Sequence, residues 1–189
     1  PRAAELAIVA ARAALGDRPG QDVGLFLGVG REPADRGETE RAILAAQEEG
    51  RFSADRFGRE GLPLYPPLAS LRTLPNLVLA HVAIQLDLTG EGGTRAGTAD
   101  AGLAAVVEGW RAVAEGRCDI ALAGAADSQV DAASARDLVR QGCLAPPGEA
   151  AAVVRLEPAR PGQQPAVFGG WTSGAGGEPW RSPHEERLG

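Results

Sequence analysis

Apolar runs of strand length, each bounded by turn residues, alternate along this chain with longer stretches whose apolar residues recur every three or four positions. Residues 3–15 carry Leu6, Val9, Ala10, Ala13 and Ala14 at helical spacing, and Gly16 is placed to close that helix. The run VGLFLGVG at 23–30 predicts a strand buried on both faces. A second helix is expected over 36–50, followed by a Pro- and Gly-rich loop over 51–75 that no regular element crosses. The next helix starts at Pro75, sets Leu77, Ala80, His81, Ile84 and Leu88 on one face, and is ended by Gly90. A short strand is predicted over 94–97. The helix after it repeats Leu103, Val106, Val107, Trp110, Val113 and Ala114 as its packed face. Residues 118–128 form another buried strand and 131–141 a helix. Residues 149–158 and 165–171 read as a strand pair joined by the turn ARPGQQ. The alternation of helix and strand gives an α/β class in one domain, 1–171, with 172–189 as a loop or disordered tail.

Composition sharpens this picture. The apolar share is 44% over 189 residues, enough for one core, yet aromatics make up only 4% while Ala and Gly abound. Such a core favours helices lying close on a sheet through small residues. All nineteen basic residues are arginine, which reflects coding bias. The net charge of −6 argues against a nucleic-acid footprint. No apolar run reaches the roughly 18 residues of a membrane span, and the first residues lack a signal peptide's cleavage pattern, so a cytoplasmic, non-membrane protein is expected. The chain opens on Pro1 within a helical pattern, so further residues upstream are expected.

Reactive side chains are few. Cys118 precedes a buried strand and reads as a small core residue. Cys143, in GCLAPPG, has no base nearby, and the two cysteines fit no metal spacing. His81 lies on the helix before the short strand, where core packing or a dimer contact is expected, and His184 lies in the tail. The glycine runs GLFLGVG and TSGAGG lack the strand, loop and helix context of a dinucleotide site. Neither a metal nor a cofactor is expected.

One segment carries more. Leu74-Pro75-Asn76, then AHVAIQLDLTG, then Thr98-Ala99-Asp100-Ala101, the Trp110 helix and CDIALAGAADS stand in an order that resembles the β-ketoacyl synthase family, whose nucleophile turn reads T-A-C-S or T-A-C-A. The similarity extends to AELAIVAARAAL with VGLFLGVG before it and GEAAAVVRLEPARPGQQPAVFGGW after it, covering roughly residues 3–171. The resemblance implies a thiolase-like fold, layered α/β/α, and corresponds to the N-terminal half of a ketosynthase with the hairpin that opens the second half. The family's opening strand has no counterpart here; its place is expected at the centre of the sheet, to be filled by a rearranged sheet or a partner chain.

The resemblance also puts Asp100 where the family has its catalytic cysteine. A thiolate at a strand-to-helix turn is stabilised by the helix dipole and attacks thioesters, whereas an ionised carboxylate is a poor nucleophile toward them. The two catalytic histidines that the family draws from its C-terminal half also have no counterpart. Asp100 is accounted for structurally as an acidic residue in the first turn of a helix. The implied role is a pseudo-ketosynthase of polyketide or fatty-acid type biosynthesis, similar to a chain-length factor, forming a homodimer or a heterodimer with an active ketosynthase and working with an acyl carrier protein. Thr98, Ala99, Asp100 and Ala101 form its candidate acyl-site turn. Thr94, Arg95, Ala96 and Gly97, with His81, form its candidate dimer interface. The alternative is an acyl-thioester hydrolase or decarboxylase with Asp100 as general base; a third reading is a structural interaction module without acyl binding.

Overall fold

The computed structural model describes residues 2–30, 36–65, 67–68, 71, 74–97, 100–143 and 145–162. Helix α1 (Arg2–Leu15) leads to strand β1 (Val23–Val29), and helix α2 (Arg36–Ala45) to a small hairpin of β2 (Gln47–Glu48) and β3 (Arg51–Phe52). A helical turn α3 (Ala54–Arg56) precedes helix α4 (Asn76–Leu86), strand β4 (Gly92–Ala96) and helix α5 (Ala101–Ala114). Strand β5 (Ile120–Ser128), helix α6 (Ala132–Arg140) and strand β6 (Glu149–Leu156) complete the described chain. The main sheet runs β4-β1-β5-β6, with β4, β1 and β5 parallel and β6 antiparallel to β5. Helices α1 and α4 cover one face and α5 the other, which makes three α/β/α layers.

Close contact through small residues decides which helix faces are buried. On α1 the sheet side is Ala3, Ala4, Ala7, Ala11 and Leu15, while Val9 is 70% exposed. On α5 it is Ala101, Ala105, Gly109 and Ala112. A Cβ at Gly109 would lie 2.8 Å from Ala123 Cβ, and one at Gly102 would lie 2.7 Å from Ala125 Cβ, so the helix axis sits too near the strands for larger side chains. The faces expected from the large apolar residues are corrected accordingly. Leu103 and Trp110 turn outward, and only Val106 and Val113 of the expected set pack beside the core of Phe26, Ala121 and Ala123.

Helix α4 also rotates away from expectation. Val78 and Val82 are its buried residues, whereas Ile84 and His81 are exposed, so His81 does no core packing. This helix is apolar on more than one side and borders the edge of the sheet, so periodicity could not choose its inner face. It ends at Asp87 in the left-handed conformation (φ 53°), not at Gly90, which instead lets the chain press against Val23. At Gly16 (φ 67°) the expected cap is present, with its N–H donated to Arg12 O at 3.0 Å.

The second helix stops at Ala45, short of residue 50, because Glu49 (φ 50°) and Gly50 (φ 75°) turn the chain into the β2–β3 hairpin. The loop expected over 51–75 is regular in part. Ser53 caps α3 by accepting the Arg56 N–H at 3.3 Å, and a π turn over Phe57–Gly61 and a 3-10 turn over Leu62–Leu64 follow, with Pro63 tolerated in a first turn.

No central place in the sheet is vacant: β1 is bonded to β4 on one side and to β5 on the other. Of the two expected ways of filling the opening strand's place, the described residues show a sheet closed by direct β1–β5 pairing, and its open positions are the outer edges of β4 and β6. Strand 165–171, the end of the domain at 171 and the tail 172–189 lie outside the described residues. Arg2 forks onto the Glu149 carboxylate (Nη2 to Oε1, 2.7 Å) and ties α1 to the start of β6; this pairing holds Glu149 below the usual glutamate range.

Two outcomes are expected. Leu122 is fully buried at the centre of the sheet, so Leu122→Ala lowers unfolding stability by about 2–5 kcal/mol in chemical denaturation. Because the folded state lowers the Glu149 pKa, its stabilisation is present at neutral pH and is lost as the pH falls through that lowered value. Thermal unfolding of Glu149→Gln is thus expected to lie below that of the native chain at neutral pH and to converge with it in acid.

Candidate functional site

Strand β1 and helix α5 meet where the chain has almost no side chain. A Cβ at Gly28 would fall inside the backbone of Ala101 and Gly102, so the first turn of α5 rests on the C-terminal part of β1. Here the unpaired N–H groups and positive dipole end of α5 open at the carboxyl end of a parallel sheet, where α/β folds place their chemistry. Asp100 immediately precedes the helix, half-buried, and Ala101 is buried behind it. Thr98 and Ala99, the other two residues of the candidate turn, lie outside the described residues.

Asp100 does not cap α5 with its side chain. Its backbone is already αR (φ −91°, ψ −3°), whereas a capping side chain needs the extended conformation to reach back to the first-turn N–H groups. Among the described residues its carboxylate has no hydrogen-bond partner. The acid expected in the first turn thus stands at the N-cap position instead, where the helix dipole favours it without a side-chain capping bond. A second carboxylate stands at the same end of the sheet: Asp127 accepts from the Ser128 N–H (2.9 Å) and from Gln129 Nε2 (2.7 Å) and occupies the space a side chain at Gly30 would need.

The candidate interface is an edge. The Leu25 N–H donates to Glu91 O and the Gly97 N–H to Val29 O, so the odd-numbered residues of β4 serve the ladder with β1. By that alternation Gly92, Thr94 and Ala96 present their backbone groups outward, where no strand pairs with them among the described residues. Thr94 Oγ1 is buried with no partner among the described residues. Arg95 and Ala96 are exposed, as are Gly97 beyond the strand (φ 95°) and His81 on neighbouring α4.

On the α5 side of β4 lies a cavity of about 170 Å³ lined by Phe26, Gly93, Arg95, Ala105 and Glu108, among others; Asp100 is not part of its wall. Arg95 reaches Glu108 at 3.3 Å, and Arg117 joins Glu91, Glu108 and Glu115. Sequence reasoning missed this ladder, because spacings of 26 and 9 residues carry no local signal. Burial raises the Cys118 thiol above its ordinary value, so it stays protonated at neutral pH, in keeping with a core residue. No cluster of metal-ligating side chains occurs among the described residues, and no helix there is long and apolar enough to cross a membrane.

The family model described as the N-terminal domain of β-ketoacyl synthase matches residues 2–156. This chain belongs to the β-ketoacyl synthase family. A search of curated proteins gives no significant match. Among solved structures, the chain is similar to the AntDE:AntF complex of a type II polyketide synthase acyl carrier protein with its ketosynthase bound to the hexaketide, at TM-score 0.61 and 18% identity. That match covers 82% of this chain and 46% of the other. It is also similar to the ishigamide ketosynthase/chain length factor, at TM-score 0.57 and 24% identity, over 84% of this chain and 44% of that one. These likenesses concern the fold, which is the thiolase-like fold of ketosynthases, and this chain spans less than half the length of either relative. The ketosynthase fold thus sets α5 on β1 with Asp100 at the head of the helix.

Because Gly28 is the seat of that helix, Gly28→Ala is expected to displace the first turn of α5 and to destabilise the chain by about 1–3 kcal/mol, through overpacking. Thermal unfolding reads the loss, and backbone amide shifts confined to residues 100–102 and 28 read the displacement.

Proposed function

We propose that this chain is a non-catalytic ketosynthase-like subunit of a polyketide- or fatty-acid-type biosynthetic system, chain-length-factor-like in role, which pairs with an active ketosynthase or with itself. The observation that carries this reading is Asp100 at the head of α5, the position that the family's T-A-C turn gives to its nucleophile. The dipole end of α5 stabilises a carboxylate there as it would a thiolate, but a stabilised carboxylate is a still weaker nucleophile toward a thioester. The hydrolase or decarboxylase alternative needs a base enclosed in an apolar pocket; Asp100 is half-exposed to solvent, so that alternative has less support.

The pairing surface in this reading is the outer edge of β4. Backbone groups of Gly92, Thr94 and Ala96 face outward there, the buried hydroxyl of Thr94 lacks a partner among the described residues, and His81 on α4 borders the edge. A strand of a partner subunit added at this edge satisfies those backbone groups. An acyl carrier protein delivers substrate to the active member of the pair.

Ala96→Pro removes one outward N–H while sparing the ladder with β1. Native mass spectrometry of the chain mixed with a ketosynthase from its own organism is expected to show a complex for the native chain and its loss for Ala96→Pro; a complex indifferent to the substitution contradicts the edge. Asp100→Cys is expected to give no carbon–carbon bond formation, and condensation by that variant contradicts the non-catalytic reading.

A further inference from the structure

We propose that Glu108 is a positioning residue for the edge strand β4, holding both ends of the strand on α5 through a ladder of ion pairs, so that ionic strength sets how firmly the edge is held. Packing contributes little to that hold. The strand reads Gly92-Gly93-Thr94-Arg95-Ala96, without one large apolar side chain. A Cβ at Gly93 would meet only the Phe26 ring within 4 Å, its nearest atom 3.5 Å away, and between the strand and α5 the cavity of about 170 Å³ stays open. Apolar contact therefore does not clamp the middle of β4 from this side. Its order depends on the backbone ladder with β1 and on what fixes its two ends.

Charge fixes the ends. Glu108, in the middle of α5, divides its two carboxylate oxygens: Oε2 accepts from Arg95 Nη2 at 3.3 Å, and Oε1 accepts from Arg117 Nη2 at 3.3 Å. Arg117 in turn donates through Nη1 to Glu91, the residue before Gly92, and through Nε to Glu115 at 2.9 Å. Glu91 and Arg95 stand at opposite ends of β4, so one carboxylate on the helix reaches both, directly at one end and through a guanidinium at the other. The side chains of the ladder are partly exposed, from 27% at Glu108 to 56% at Arg95, so water and salt reach them. A lone exposed pair contributes little, whereas charges shared in a network hold more. Arg117 lies among three carboxylates, Glu91, Glu108 and Glu115, and removing its charge would leave them to repel one another. The ladder is internal to this chain, so the inference holds whether or not β4 pairs with a partner as proposed above.

The test is amide hydrogen exchange of the full chain alone, read residue by residue by NMR. Gly93 and Arg95, whose amides serve the ladder with β1, are expected to exchange about fivefold faster in Glu108→Gln than in the native chain. Leu122 and Gly124, at the centre of β5, are expected to be unchanged. Raising sodium chloride from about 0.05 M to about 1 M is expected to accelerate Gly93 and Arg95 of the native chain by about fivefold and to leave Glu108→Gln nearly unchanged. Arg117→Gln reverses the sign: salt is expected to slow exchange in that variant, because it screens the three carboxylates. Arg95→Lys keeps the charge, and its Gly93 amide is expected to stay within about twofold of the native rate. Exchange at Gly93 and Arg95 that Glu108→Gln leaves at the native rate overturns the proposal. So does an acceleration shared equally by Leu122 and Gly124, which marks lost global stability in place of a local hold, and so does salt that speeds Arg117→Gln as it speeds the native chain.

Discussion

The approach of α5 to the sheet is the constraint on which the other features depend. It is set by side chains that are missing or minimal: Gly28 beneath the first turn, Gly102 against Ala125, and Gly109 against Ala123. A helix held this close carries its first-turn N–H groups to the carboxyl end of β1, which is why Asp100 stands where the strand end and the helix N-terminus meet. The same closeness sends Leu103 and Trp110 of α5 outward, because nothing bigger than alanine fits where the helix lies nearest the strands. One packing distance thus shapes both the candidate site and the exposed surface.

Much of the fold was legible in the sequence, and the exceptions share a cause. Strands β1 and β5 read directly from apolar runs between turn residues, since strands buried on both faces leave little ambiguity. The abundance of Ala and Gly foretold close helix-on-sheet packing. Periodicity of the large residues nevertheless chose Val9 on α1 and Leu103 and Trp110 on α5 as packed positions, and these lie outside. Large apolar residues show that a helix has apolar surface; the distance to the neighbouring layer decides which side is inside. On α4, apolar residues on several sides left no unique inner face, so Ile84 and His81 were assigned inward although both are exposed.

The site was legible only in part. The position of Asp100 at the head of a helix followed from the motif, but its failure to cap did not, since that depends on an αR backbone no residue pattern announces. The ladder of Arg95, Glu108, Arg117 and Glu91 was invisible because its members come from a strand edge, a helix and the turns that flank them. The outward backbone groups of β4 follow from the register with β1, a relation between segments about 70 residues apart in the chain.

The central claim is that the head of α5 no longer carries out acyl transfer. It is tested most directly by incubating the native chain with an acyl carrier protein bearing an acyl thioester and following both proteins by intact mass spectrometry. The account predicts no acyl adduct on this chain and no thioester loss above the rate without it. An acyl adduct on the chain, or thioester consumption that Asp100→Asn abolishes, would contradict it.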